Sequence, residues 1–350
     1  MNKKMNLEKQ LEQHQIHTSV PCRVDFGGTL DISTLFLPLN HLSPSSFNIA
    51  LDLRTVVSLF PWQKGFIKVS SKGFESAVFK KDELLFHHPM GLMFACAAFF
   101  NIHGVHIKIN STSPPRSALG GSSAAAVAII SAVYNALDKP INPERIAWLA
   151  HYIEASVAGV PCGMQDQLAA AFGGVNQWVW KMGKISPEFE QIPVFEYEDE
   201  IKAFNSNVLV AYCGIPHVSK DINKQWIDSF VCGETRSVFK KIANLTHQFS
   251  KAVKNRKFRQ AADFMNQETT LRLEMTPDVL DNTGKKLFEK AISCDCGARF
   301  TGAGGGGCLW AVGEAADIEN LKPLWQDILS DVEDAKILDT KIENKGILIG

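Results

Sequence analysis

The stretch that decides the fold is residues 114–124, which read Pro-Pro-Arg-Ser-Ala-Leu-Gly-Gly-Ser-Ser-Ala. A pair of glycines leads directly into two serines, and a long run of small and apolar residues follows. This run predicts a helix, and the glycine pair leaves the backbone N–H groups at its start uncrowded. Because the N-terminal end of a helix dipole attracts anions, the loop predicts a phosphate site, with an ordinary capped helix as the alternative.

A second glycine-rich segment lies near the other end of the chain. Residues 301–307 read Thr-Gly-Ala-Gly-Gly-Gly-Gly, and the strand-like apolar run Cys308–Val312 follows. Four consecutive glycines lose much backbone freedom on folding. Since a simple turn into a buried strand needs fewer of them, the segment favours a close approach of the backbone to a ligand or to another loop.

A third segment brings two acidic residues close together in the sequence. The pattern of residues 143–156 predicts a helix with Asn142 as its cap, and Glu154 lies near the end of that helix. Asp166 follows in or just past a turn rich in glycine and proline. A carboxylate on a rigid turn near a phosphate loop suits a general base or a metal ligand, although a single aspartate is usually a turn or surface residue.

Together these segments resemble the GHMP kinase superfamily, which includes galactokinase and the homoserine, mevalonate and phosphomevalonate kinases. Residues 114–124 are similar to the family's phosphate loop, Pro-x-x-x-Gly-Leu-Gly-Ser-Ser-Ala, and residues 301–307 match its C-terminal motif in full. Residues 21–31, which read Pro-Cys-Arg-Val-Asp-Phe-Gly-Gly-Thr-Leu-Asp, look like the N-terminal element of the sugar kinases. The motifs occur in the family's order.

Within the superfamily, the resemblance favours the kinases that phosphorylate the anomeric hydroxyl of a sugar. Residues 159–167 are similar to the galactokinase segment Pro-Cys-Gly-x-x-Asp-Gln, and residues 169–176 look like heptose-7-phosphate kinases and fucokinase-like enzymes. The resemblance therefore implies transfer of the γ-phosphoryl group of ATP to a galactose-, fucose- or heptose-7-phosphate-like sugar. Ala118 and Gly121 depart from the family's usual glycine and serine or threonine, and the N-terminal turn differs from that of both sugar-kinase groups.

The resemblance also implies a role for each candidate site residue, with ATP and Mg²⁺ as cofactors. Asp166 would act as the base and Arg23 would stand beside it, while Ser122 and Glu154 would hold the magnesium ion. The ATP phosphates would be bound by Leu119, Gly120, Gly121, Ser122 and Ser123, and the substrate by Asp31, Gly163, Gly304 and Gly305. For Asp31 a helix cap or a turn position is an equal alternative.

Two other functions stay open. The first keeps the kinase fold but uses a non-sugar alcohol as the acceptor, as mevalonate and homoserine kinases do. The second is a nucleotide- or sugar-binding regulator that has lost turnover. Arg23, Ser122, Glu154 and Asp166 occur together, and this argues against the regulator, since an inactive site need not keep them.

Composition and charge exclude several classes of protein. A formal net charge of −1 argues against nonspecific nucleic-acid binding. Residues 1–15 are polar, without the apolar core of a signal peptide, and the run 124–137 is too short to span a bilayer. We therefore expect a cytoplasmic monomer or homodimer whose partners are ATP and a small sugar or sugar phosphate, with no membrane or nucleic acid. The scattered cysteines lack zinc spacing and are expected to be reduced.

The order of predicted elements indicates an α+β fold, because strands and helices do not alternate strictly. A polar, irregular stretch at residues 184–206 predicts a boundary, with an ATP-binding domain at 1–195 and a C-terminal domain at 196–350. The resemblance implies that the first domain is of the ribosomal protein S5 domain-2-like type and that the second is ferredoxin-like. It also implies an active site between the two.

Overall fold

The computed structural model describes residues 7–159, 161–182, 187–216 and 220–350, apart from the side chains of residues 187–188 and 220–221. The elements of the first half, in chain order, are α1 (Leu7–Gln13), β1 (Ile16–Phe26), α2 (Ser33–Phe36), a 3-10 turn (Asn40–Leu42), β2 (Ser45–Pro61), β3 (Phe66–Ser71), β4 (Ala77–Lys80), α3 (Gly91–Phe99), β5 (Val105–Ser111), α4 (Gly121–Ala136), α5 (Pro143–Val157), α6 (Gln165–Phe172), β6 (Val175–Met182) and β7 (Pro187–Pro193).

The second half is richer in helix. Its elements are α7 (Glu198–Phe204), a 3-10 turn (Asn205–Asn207), β8 (Val208–Tyr212), α8 (Lys220–Val231), α9 (Arg236–Lys254), α10 (Phe258–Met275), a 3-10 turn (Pro277–Val279), α11 (Asn282–Ser293), β9 (Gly297–Phe300), β10 (Cys308–Val312), α12 (Ala315–Ser330), β11 (Lys336–Ile337) and β12 (Leu348–Ile349).

The larger sheet is organised around the long strand β2. β1 pairs antiparallel with β2 along its length, while the other edge of β2 is shared by β6 at residues 45–49 and by β5 at residues 55–61. β3 and β4 extend the sheet beyond β5, and β7 extends it beyond β6. Because β1 is buried over most of its length, polar side chains that it carries are held in a rigid, dry setting.

Helix α4 lies against β1 and β2, and it also contacts α5 and α6. Nearly all of its residues are buried, including the run of small side chains from Ala124 to Ala128. Small side chains let the helix approach the sheet closely, as the hydrogen bond of 2.7 Å from Thr18 Oγ1 to the Ala128 carbonyl shows. The N-terminal end of α4 is thereby fixed beside the end of β1, where the Arg23 N–H donates to the Leu119 carbonyl at 3.2 Å.

The smaller sheet has the order β11-β8-β10-β9 and is covered by helices α10, α11 and α12. All residues of β9 and β10 are buried, as the apolar run at 308–312 predicts. β12, near the end of the chain, leaves this layer and pairs with β1 of the larger sheet, where Thr18 faces Ile349. The same segment contacts α6, because the Ile347 N–H donates to the Ala171 carbonyl at 3.2 Å.

The α+β fold is confirmed, and two local predictions are corrected. The stretch predicted as irregular at 184–206 contains β7 and α7, while residues 184–186 lie outside the described part of the chain. The Thr276-Pro277 start signal in the sequence predicts a helix over residues 277–294, but α11 begins at Asn282, because Asp281 accepts the Gly284 N–H at 2.6 Å and caps it there. The division of the chain at residues 195 and 196 stays a prediction.

Among the described residues, no helix combines the length and the apolar character needed to cross a membrane.

Candidate active site

Arg23 and Asp166 form a two-pronged ion pair at the centre of the site. Arg23 Nε donates to Asp166 Oδ1 at 2.8 Å, and Nη2 donates to Oδ2 at 2.9 Å. The third nitrogen, Nη1, donates to the Ala118 carbonyl at 2.7 Å. Arg23 is buried, whereas the Asp166 side chain is 23% exposed and therefore open to an incoming molecule. The structure thus brings together the two residues that the sequence predicts as a catalytic pair.

The charge of Arg23 is secured by its neighbours. Burial on its own would lower the pKa of the guanidinium, but the carboxylates of Asp166 and Asp25 outweigh burial and raise the pKa above its ordinary value. Arg23 therefore remains a cation in a dry environment. Such a fixed positive charge can stabilise negative charge that develops beside it.

The loop from Ser117 to Gly120 packs directly against this pair. Gly120 has a φ of +73°, and a Cβ atom there would lie 3.2 Å from Asp166 Oδ2. The next residue, Gly121, opens α4 and has no atom within 4 Å of its Cβ position. No side chain caps the first turn of α4. Its N–H groups are therefore available to an anion next to Asp166.

Ala118 has a φ of +60°, in the left-handed region that favours glycine. This explains why glycine is usual at this position in the family that the sequence resembles. An alanine at such a φ carries strain of about 1 kcal/mol. The Ala118 carbonyl, however, is the acceptor for Arg23 Nη1, so the strained residue still supports the site.

Glu154 lies at the end of α5 and faces the start of α4. Its Oε2 accepts from Ser123 Oγ at 2.7 Å and from Gln167 Nε2 at 2.6 Å, and its Oε1 accepts from Ser122 Oγ at 3.4 Å. Burial raises the pKa of Glu154 to about 7, although these donors oppose the increase and the charge of Asp166 adds to it. The carboxyl group is therefore costly to keep ionised without a nearby cation.

The residues around Glu154 fit a magnesium ion. No ion pair to Glu154 is present among the described residues, and no group of three or more histidine, cysteine or acidic side chains there could hold a metal without help. Ser122 and Glu154 offer a hydroxyl and a carboxylate, which are the hard oxygen donors that Mg²⁺ prefers. Magnesium typically takes one or two carboxylates and completes its shell with phosphates and water, which suits a site at a phosphate loop.

Asp31 is buried beside the same turn. Its Oδ2 accepts the N–H of Gln165, the first residue of α6, at 3.0 Å. A Cβ atom at position 163 would overlap the Asp31 carboxylate, so Gly163 is the residue that this approach requires. Burial raises the pKa of Asp31 to about 7, with a further contribution from the charge of Asp166. Asp31 does not cap α2, whose N-cap is Ile32.

The glycine-rich turn at 301–307 approaches the other loops at the backbone level. The Gly302 N–H donates to Asp25 Oδ1 at 2.7 Å, and a Cβ atom at Gly302 would lie 3.6 Å from Arg23 Nη2. Gly304 and Gly305 pack on Val279, whose carbonyl accepts the Gly305 N–H at 2.9 Å. These contacts explain the run of glycines by loop-to-loop approach. A role for Gly304 and Gly305 in binding substrate stays a prediction.

Two residues of this site were missed from the sequence. Asp25 lies two positions after Arg23 on the same face of β1, and this spacing was a usable signal because side chains two apart share a face. Gln167 adjoins Asp166 and donates to Glu154. Its signal in the sequence was its place at the end of the Pro-Cys-Gly-x-x-Asp-Gln motif, which assigns it no role, and a lone glutamine is usually a surface residue.

Comparison with known proteins places this geometry in a family. Residues 89–174 match the GHMP kinases N terminal domain, which contains the phosphate loop, Glu154 and Asp166. Over these residues the chain is similar to the GHMP kinases. The predicted resemblance is thereby confirmed at the level of the family.

The relatives of this chain differ in the acceptors that their names give. A mevalonate kinase from Thermococcus onnurineus is 27% identical over 291 residues, which cover 75% of this chain and 81% of the relative. A D-glycero-alpha-D-manno-heptose 7-phosphate kinase from Campylobacter jejuni is 46% identical over 66 residues, covering 19% of this chain and 20% of the relative. These similarities therefore do not decide between a sugar and a non-sugar acceptor.

The solved structure of Lactococcus lactis galactokinase complexed with galactose has the same fold. Its TM-score is 0.74 at 16% sequence identity, and the match covers 98% of each chain. The likeness extends over both sheets and confirms the GHMP kinase fold.

Proposed function

We propose that this protein transfers the γ-phosphoryl group of ATP to a hydroxyl group of a small molecule. The observation that carries the proposal is the Arg23–Asp166 ion pair, which lies against the loop at Gly120. The uncapped N–H groups that follow this loop can bind an anion. Phosphoryl transfer needs positioning and charge neutralisation more than covalent chemistry. Arg23 provides a fixed cation, Asp166 an accessible carboxylate, and the start of α4 a set of N–H groups that can bind phosphate.

Each group has a separate task in this reaction. The N–H groups at Gly121, Ser122 and Ser123 hold the phosphates of ATP. Asp166 accepts the proton of the acceptor hydroxyl as its oxygen bonds to the γ-phosphorus, and the bond to the bridging oxygen breaks to release ADP. Arg23 orients the Asp166 carboxylate and balances negative charge that accumulates on the transferred group.

Ser122 and Glu154 would hold the magnesium ion, which supplies neutralisation of the phosphate charge when it is bound. Ser123 and Gln167 fix the Glu154 carboxylate by their hydrogen bonds at 2.7 and 2.6 Å. Both of those bonds go to Oε2, whereas Oε1 accepts the longer hydrogen bond of 3.4 Å from Ser122 Oγ. This arrangement leaves Oε1 as the better-placed donor oxygen for a cation.

We infer further that the acceptor is the anomeric hydroxyl of a sugar. Asp31 is a buried carboxylate that accepts the N–H of Gln165, the residue before Asp166, and carboxylates that accept neighbouring hydroxyl groups select polyols by stereochemistry. An acceptor with a carboxylate of its own would meet the charge of Asp166 and, above the Asp31 pKa of about 7, that of Asp31 as well. A neutral polyol avoids that repulsion.

A non-sugar alcohol is the second candidate, and the similarity to mevalonate kinases over 291 residues favours it. A panel of galactose, fucose, mannose and heptose phosphates, compared with mevalonate and homoserine, separates the two. The measurement is ADP release with ATP and Mg²⁺ present. Fastest release with a panel sugar supports the proposal, and fastest release with mevalonate or homoserine overturns the sugar assignment. Sugar binding without any ADP release would indicate a regulator instead of an enzyme.

A further inference from the structure

A chain of buried charges runs from the second half of the molecule to Arg23. Arg272 Nε donates to Glu268 Oε1 at 2.9 Å, and Arg299 Nε donates to Glu268 Oε2 at 2.8 Å. Arg299 Nη1 then donates to Asp25 Oδ2 at 3.0 Å. The side chains of all four residues have 0% solvent exposure. Glu268 and Arg272 belong to α10, Arg299 belongs to β9 and Asp25 belongs to β1. The buried charges therefore link these three elements.

Asp25 is the link between this charge chain and the candidate catalytic pair. Its Oδ1 lies 3.5 Å from Arg23 Nη1 and accepts the Gly302 N–H at 2.7 Å. Its Oδ2 is bonded to Arg299. One carboxylate therefore stands between two buried guanidinium groups, those of Arg23 and Arg299, and prevents them from facing each other unshielded.

The charges of this cluster balance. Its three guanidinium groups, on Arg23, Arg272 and Arg299, are matched by the carboxylates of Asp25, Glu268 and Asp166. A buried ion pair contributes little net stability, but removal of one partner leaves an uncompensated charge in a dry interior. Such a cluster therefore specifies a single arrangement of its members more than it stabilises the fold.

We propose that Asp25 and Arg299 are positioning residues that hold Arg23 in the orientation in which it bonds both oxygens of Asp166. This inference rests on the proposed kinase function. Neither residue contacts the open side of the site, since both are fully buried. They act through Arg23: without the Asp25 charge, Arg299 repels Arg23, whose remaining partners are the Asp166 carboxylate and the Ala118 carbonyl.

The first test is a crystal structure of the Asp25→Asn variant, which has the same shape and lacks the charge. We expect Arg23 to lose at least one of its two bonds to Asp166 while β1 and β9 stay in place. If both bonds keep their lengths of 2.8 and 2.9 Å, the inference is overturned. This measurement requires no acceptor and therefore does not depend on the proposed reaction.

The second test is a double-mutant cycle with Asp166→Asn, measured as ADP release from ATP and Mg²⁺ with the sugar panel above. Asp25→Asn alone should lower kcat by about 10- to 100-fold, as misplacement of a reacting group does, with an unchanged KM for ATP. In the Asp166→Asn background the same change should have less than about a twofold effect, because the two mutations remove the same function. Equal losses in both backgrounds would show a merely structural role.

The matched control is Glu343→Gln, which removes a partly buried ion pair outside this cluster, at 2.9 Å between Glu343 and Arg54. It should leave kcat unchanged. If Asp25→Asn does not fold, Arg299→Lys replaces it in both tests, since lysine keeps the charge but cannot reach Glu268 and Asp25 together. If Asp166→Asn itself retains full turnover, the proposed base is wrong, and the structure of the Asp25 variant alone decides the positioning role.

Discussion

The guanidinium of Arg23 and the carboxylate of Asp166 meet in a two-pronged hydrogen bond although 143 positions of chain separate them. The two side chains come into contact because Arg23 lies near the end of β1 and Asp166 lies in the first turn of α6. Planar bidentate pairing fixes both distance and orientation. Asp166 is therefore preoriented before any ligand binds, as a base in phosphoryl transfer must be.

Replacement of Asp166 by asparagine tests the proposed base. We expect Asp166→Asn to lose at least about 100-fold in kcat, within the usual effect of removing a general base, while ATP still binds. Steady-state ADP release and calorimetric titration with ATP measure the two effects. The exposed Asp278→Asn is the matched control and should behave as wild type. Wild-type turnover by the Asp166 variant would contradict the assignment.

Replacement of Glu154 by glutamine tests the magnesium site. Glutamine keeps the shape of the side chain and loses the charge, so we expect the Mg²⁺ concentration for half-maximal activity to rise by about 10-fold or more. Titration of Mg²⁺ at saturating ATP measures it, and removal of Mg²⁺ by a chelator should abolish wild-type turnover. Glu144→Gln, exposed on the same helix, is the control. An unchanged Mg²⁺ requirement in the Glu154 variant would exclude Glu154 as a ligand.

Asp31 makes the stability of the protein depend on pH. Its pKa is about 7 in the folded state against an ordinary value of 3.8, so the folded state binds more protons between these values. Stability from this group is therefore greatest below the ordinary value and is lost as the pH rises to about 7. Asp31→Asn should thus be more stable than wild type by about 1 to 3 kcal/mol at pH 8, and by less near pH 4.

Urea unfolding of wild type and Asp31→Asn at both pH values measures that difference. A stability difference that shrinks as the pH rises would contradict the sign. Because Asp31 is also proposed to bind the substrate, the same variant should show a raised KM for the sugar and an unchanged KM for ATP.

The glycines of the site differ sharply in their tolerance of a side chain. Gly163→Ala should greatly reduce activity, because the added methyl group overlaps the Asp31 carboxylate. Gly120→Ala adds a methyl group 3.2 Å from Asp166 at a φ of +73°, so it should reduce kcat by about 10-fold or more. Gly121→Ala, with no atom within 4 Å of its Cβ, is the matched control and should remain active. Equal activity of the three variants would contradict this close packing.

Much of the fold and part of the site could be predicted because they depend on local patterns. The glycine pair at 120–121 and the small-residue run after it define α4, and the apolar run at 308–312 defines β10. The position of Asp31 also followed from a motif. Its bond to the Gln165 N–H, 134 positions away, could not be predicted, since it depends on how α6 packs on the turn after β1.

The charged cluster shows what a single sequence conceals. Glu268 and Arg272 are spaced as an ordinary exposed pair on a helix would be, yet both are fully buried. Their spacing carries no sign of burial, because the same pattern is common on solvated helix faces. Only the packing of α10 on β9 shows that Arg299 completes the group.

The pairing of β12 with β1 bears on how the protein is made. Thr18 and Ser19 find their strand partners in Ile349 and Leu348, so this edge of β1 stays unpaired until residues 348 and 349 have been synthesised. Native contacts between such distant residues slow folding, and partly synthesised chains expose unpaired strand edges. Until that late closure, the edge of β1 in a nascent chain is open to pairing with other molecules.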